Sequence, residues 1–217
     1  MPAYFLIMQG VNNSMAKLPL QDGKYIVGVA RKTIEKCVKA GGVVVYETKA
    51  ASRLKEKHGV FVTIFKYPSK ELRGCIGMPR PEKPLIIALK EAATNAALGD
   101  PRFTPVKPEE LDKIVVEVTV LTPPELIVVD KAQEYPKNVE VGKHGLIIET
   151  DFKSGLLLPQ VATELKLDSE QFLSETCFKA GLGFSDWLGP NIKIYRFEGQ
   201  IFAEEVPGGE VVEKKLV

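Results

Sequence analysis

Between residues 59 and 121 the chain runs GVFVTIFKYP, LRGCIG, PLIIALKEAATNAAL and KIVVEVTVL in succession, and this order constrains the fold more than any other feature. The first run is rich in β-branched and aromatic residues and is closed by Pro68, the composition of a strand. YPSKE is a polar turn, so residues 60 to 78 read as an antiparallel hairpin whose return strand carries Cys75. Pro79, Pro81 and Pro84 lead into an alanine-rich helix, largely buried, that ends at Gly99 and the DPRF segment. After a KPEEL turn, Val116, Val118 and Val120 alternate with Glu117 and Thr119, the period of a strand with one face covered.

The flanks of this β-β-α-β unit mix helices and strands. Ile26, Ala30, Ile34 and Cys37 recur at helical intervals within 18 to 39, and Gly41 with Gly42 ends that helix. An apolar run VVVYE at 43 to 47 and a basic segment ending in His58 follow. Later, GLIIET and GLLLP flank a Ser154-Gly155 turn, two helices occupy 159 to 166 and about 169 to 180, and KIYRFEGQIFAEEV is a late strand. PGGEVVEKKLV reads as a loose tail. Strands and helices do not alternate as in a doubly wound sheet, so the expected class is α+β, with mainly antiparallel sheets and flanking helices. The compact unit, 59 to 125, forms a smaller subdomain, and 1 to 58 with 126 to 217 a larger discontinuous one, leaving a cleft between them.

Bulk properties narrow the function. With 217 residues, 45% of them hydrophobic, the chain can bury a substantial core. Lys plus Arg number 29 against 28 for Asp plus Glu, so no global field draws in nucleic acid or an anionic membrane. The basic stretches KTIEKCVKAGG and RLKEKHG read as solvated faces, and no RNP-type aromatic signature accompanies them. The start, MPAYFLIMQGVNNSMAKL, has no basic leader, and nowhere do eighteen apolar residues follow one another, so the expectation is a cytoplasmic protein that does not enter the membrane. No cofactor is identifiable: GxGxxG, GxxxxGK and GxSxG are absent, and no His or Cys grouping has metal-ligand spacing.

Three cysteines, at 37, 75 and 177, are too few and too scattered for a disulfide framework. Cys37 and Cys177 fall on apolar helical stripes and read as core packing. Cys75 is different. Alternation along LRGCIG points Leu72, Gly74 and Ile76 one way and Arg73, Cys75 and Gly77 the other, and an arginine is almost never fully buried unless paired. That face is therefore expected to open to a cleft, with Gly74 and Gly77 marking a bulge or the close approach of a ligand or backbone. His144, between glycines in VGKHGLII, can be presented by a turn as an imidazole base, whereas His58 reads as a solvated residue. Asp100 and Arg102 of DPRF can bind a polar ligand or tie off a helix end, and Gln160 of LLLPQ can project from a strand-helix junction.

LRGCIG, preceded by GVFVTI and followed in order by DPRF, EVTVL, HG, LLLPQVA, CFKAGL and Trp187, resembles the AMMECR family over about residues 20 to 205. The resemblance implies an α+β fold of two subdomains with the shared motifs gathered at the cleft between them. It implies no established reaction. It does imply a pathway link to Memo-type and radical S-adenosylmethionine proteins, beside which archaeal and bacterial relatives occur, while animal relatives are associated with the nucleus. Carried onto this chain, the site comprises Cys75 and His144 as catalytic groups and Arg73, Gly74, Gly77, Asp100, Arg102 and Gln160 as binding groups. Two functions are then expected: a cleft enzyme using the Cys75 thiol on a small polar substrate, or a non-catalytic adaptor gripping a peptide or metabolite in the same groove.

Overall fold

The computed structural model describes residues 17–215; the reading of the N-terminal segment concerns residues 1–16, outside the described residues. In chain order the elements are α1 (Leu20–Ala40), β1 (Gly59–Lys66), β2 (Leu72–Met78), α2 (Leu85–Leu98), β3 (Ile114–Leu121), β4 (Glu125–Leu126), β5 (His144–Glu149), β6 (Ser154–Leu157), α3 (Pro159–Glu164), α4 (Ser169–Lys179), β7 (Lys193–Glu204) and β8 (Val211–Lys214). The strands form one antiparallel sheet in the order β2-β1-β3-β7-β5-β6, with β4 and β8 also paired to β7. The class is α+β.

Alternation along the strands divides the sheet into two faces. On one, Val60, Val62, Ile64, Val116, Val118, Val120 and Phe202 pack beneath α1 and α2, while Leu146, Ile148 and Ile194 pack with Phe172, Leu173 and Cys177 of α4. The other face carries Phe61, Thr63, Cys75, Glu117, Thr119, Leu121, Ile147 and Phe197 by the strand registers. Phe61 of β1 packs into one cluster with Ile147 of β5 and Leu156 of β6, strands well separated in the sheet order. This contact, with the Arg80–Glu149 ion pair, shows the sheet curled into a half-barrel with the helix-free face inside.

Long β7 unites the two halves, since its residues 199–203 pair with β3 and 193–198 pair with β5. The expected grouping placed the first helix with 126–217. In the structure α1 packs on α2 and β3, and its core is shared with 59–125. Other local departures have clear causes. The apolar VVVYE run lies outside the helices and strands, with Val43 and Val45 80% and 95% exposed. Ser154 and Gly155 lie inside β6, opposite Glu149 and Ile148, so the hairpin reverses at Asp151–Lys153. The tail is not loose, because Val211–Lys214 adds to the edge of β7.

Candidate functional site

Cys75 lies on β2, an edge strand, directly opposite Thr63 of β1, and Thr63 in turn opposes Glu117 of β3. These three side chains form a row on the inner face. Thr63 Oγ1 donates to Cys75 Sγ at 3.3 Å, and Glu117 accepts from Lys214 Nζ of β8 at 2.6 Å. The thiol is partly exposed, whereas Cys37 and Cys177 are buried. Burial pushes the Cys37 thiol up and the Cys177 thiol up to about 11, leaving both as inert core residues.

An edge strand offers unpaired main-chain groups, and here the DPRF segment fills them. The Cys75 N–H donates to Asp100 Oδ2 at 2.8 Å, and the Cys75 carbonyl accepts from Arg102 Nη2 at 3.0 Å. Arg102 also grips both Asp100 oxygens, through Nε at 3.0 Å and Nη2 at 2.7 Å. The Arg102 guanidinium, helped by the N–H groups of Cys75 and Arg102, holds the Asp100 carboxyl well below the usual carboxylate range despite its burial. Side chains thus replace the missing neighbouring strand at the position of the thiol. Arg102 keeps 54% of its side-chain surface exposed, and its Nη1 has no bond among the described residues.

Arg73 departs from the alternation expected of it. Ile64 pairs with Gly74 and Phe65 with Leu72, so Arg73 is the extra residue of a bulge and leaves the face of Cys75. It is 6% exposed and fully engaged: Nε and Nη2 bind Glu110 at 2.8 and 3.0 Å, and Nη1 and Nη2 reach the carbonyls of Thr104 and Pro105. Its pairing with Glu110 is what permits burial, and Arg73 in return holds Glu110 below the usual carboxylate range. Arg73 therefore braces the bulge and the loop behind it, each of its guanidinium nitrogens already bonded to the protein. Gly74 faces the helices, where a Cβ would stand 2.2 Å from the Ala96 carbonyl of α2, so the close approach is that of a backbone. Gly77 lies on the inner face beneath the Phe61 ring.

His144 does not join Cys75. It shares its face with Leu146 and Ile148, the helix-bearing side, and β5 stands four strands from β2. Glu140 N–H donates to its Nδ1 at 3.0 Å, and burial, reinforced by Arg196 and Lys143, lowers its pKa. The opposite faces exclude a Cys75-His144 pair in this arrangement. His58, expected in solvent, is 5% exposed, and burial lowers its pKa too. Gln160 sits in the first turn of α3, with a buried Oε1 that has no partner among the described residues. Sequence reasoning missed Thr63, Glu110 and Glu117. The first follows only from the hairpin register, and the others were visible just as carboxylates in a turn and on a half-covered strand.

The sequence model of the AMMECR1 family matches residues 27–202. The chain is 53% identical over 203 residues to protein MJ0810 of Methanocaldococcus jannaschii, covering 94% of this chain and all of that one. It is 49% identical over 201 residues to protein MK0488 of Methanopyrus kandleri, covering 92% and 97%. The crystal structure of protein PH0010 from Pyrococcus horikoshii superposes with a TM-score of 0.83 at 47% identity, covering 90% of this chain and 97% of that one. The solved relative shares the fold along nearly its whole length, and the names of all three state no activity. With the family model spanning both halves of the curled sheet, the chain belongs to the AMMECR1 family.

Proposed function

We propose that the inner face of the half-barrel at Cys75 binds a small polar substrate and that the Cys75 thiol is its reactive group. One observation supports this above the others: Asp100 and Arg102 fix both main-chain groups of Cys75 at the sheet edge while the cysteine itself stays partly exposed. A thiol held in that way is positioned before any ligand arrives, which is what a nucleophile or an exchanging thiol requires. Thr63 donates to the sulfur in this arrangement, and the free Nη1 of Arg102 would hold an anionic group of the substrate. Arg73, Glu110 and Asp100 are positioning residues in this reading, and His144 plays no part at the thiol.

A second reading is favoured by how much of the motif is spent on the protein itself. Every donor nitrogen of Arg73 and both Asp100 oxygens are engaged internally, so the same edge can serve as a rigid groove for a peptide or metabolite with no chemistry at sulfur. To separate the two, wild-type and Cys75→Ser protein are incubated with a small-molecule extract and the mixture is followed by mass spectrometry. A compound consumed by the wild type and spared by the serine variant establishes thiol chemistry. Equal consumption by both contradicts it, and equal retention of an unchanged compound supports the groove. A cytoplasmic setting and a pathway link to Memo-type and radical S-adenosylmethionine proteins complete the proposal. No described helix is long and apolar enough to cross a membrane.

A further inference from the structure

A second concavity lies on the other side of the sheet, at the seam of β5, β7 and the 3₁₀ turn Ala132–Asn138. It has a volume of about 480 Å³, within the range of small-molecule sites. His144 lines it and is 7% exposed. Its Nδ1 is occupied by the Glu140 N–H, so the neutral ring carries its proton on Nε2, which has no bond to any described residue. A free donor is thus left at the cavity wall for whatever fills it.

The charges around this donor define the ligand. Arg196, Lys143 and Lys137 supply three cations to the wall, and Glu125, Glu140 and Glu198 supply three carboxylates. Their mutual contacts are loose: Arg196 stands 3.4 Å from Glu125, and Lys143 is 3.5 Å from both Glu140 and Glu198. Charge-assisted bonds close to about 2.7–2.9 Å when made, as Arg73 does with Glu110 at 2.8 Å. The wall therefore holds opposite charges side by side without having joined them tightly. An ion of one sign would meet as many like charges as unlike, whereas a dipolar molecule is matched at both ends. We infer that this cavity is a binding site for a small zwitterion of the α-amino acid type, its carboxylate taken by Arg196 and His144 Nε2 and its ammonium by Glu198 or Glu140. The site is separate from Cys75 and does not depend on that thiol being reactive.

The chain has two histidines, so the imidazole Cε1–Hε1 region of an NMR spectrum holds two signals, and His58 serves as the internal control. At fixed pH, L-alanine and L-glutamine are each titrated into the full-length protein, with acetate and glycinamide as single-charge probes. The expected result is a saturable shift of the His144 signal by at least one of the amino acids, with His58 unmoved and each single-charge probe at least tenfold weaker. In Arg196→Gln, checked for folding by the unchanged His58 signal, the affinity falls at least tenfold. If that variant does not fold, Lys143→Gln with the same readout takes its place. No shift with either amino acid, an equal response to acetate, or equal movement of both histidines overturns the inference.

Discussion

The main-chain N–H of Cys75 donates to Oδ2 of Asp100 at 2.8 Å, and the carboxylate receiving it is held by Arg102, whose Nη2 returns to the Cys75 carbonyl. Two motifs separated by α2 are thereby closed into one ring around a single residue. Removing the carboxylate in Asp100→Ala strands a sheet-edge N–H and releases Arg102, and should cost about 2–3 kcal/mol. The sign of its pH dependence follows from its depressed folded pKa. The stabilisation is complete above the ordinary carboxylate value near about 4 and is lost as the pH falls toward the folded value. Urea unfolding of wild type and variant should accordingly converge as the pH is lowered from neutrality into that range.

Arg73 and Glu110 are a partly buried bidentate pair, with side-chain exposures of 7% and 28%. Arg73→Leu leaves Glu110 and the Thr104 and Pro105 carbonyls without their donor, a loss of about 3 kcal/mol. Arg73→Lys restores the charge but not the fork, and should recover less than half of that. The midpoint of denaturant unfolding reads both.

Gly74→Ala sets a methyl group against the Ala96 carbonyl, an atom fixed in the α2 backbone. With nowhere to move, the substitution should cost about 3 kcal/mol. Gly28→Ala in α1, where nothing lies within 4 Å of the added carbon, is the matched control and should be neutral or slightly stabilising.

Both histidines are buried with pKa values lowered by desolvation, so the unfolded chain binds their protons first as the pH falls. Stability should therefore begin to decline below the ordinary histidine value of about 6.5 and keep declining until the folded groups titrate. His58→Gln and His144→Gln should each flatten that slope, as measured by unfolding at a series of pH values.

Local periodicity made much of the fold legible. The hairpin, α2, β3 and β7 each carry their own signal in β-branched runs or alanine-rich stretches, and antiparallel pairing follows from short polar turns. What was lost depends on partners distant in sequence. Alternation placed Arg73 beside Cys75 because a bulge cannot be seen without the opposing strand, and the bulge lets Glu110 bury the guanidinium. Val211–Lys214 looks like a tail because only the free edge of β7 makes it a strand. His144 shares a short apolar run with Ile147, yet the two side chains lie on opposite faces, and only the sheet order shows that His144 stands on the side away from Cys75.

The account stands on Cys75 being the one presented thiol of three, and native-state alkylation with peptide mapping tests that most directly. Iodoacetamide should modify Cys75 in the folded protein while Cys37 and Cys177, both buried, react at least about 100-fold more slowly until denaturant is added. Protection of Cys75 to the same degree as the two core cysteines would contradict the proposed site.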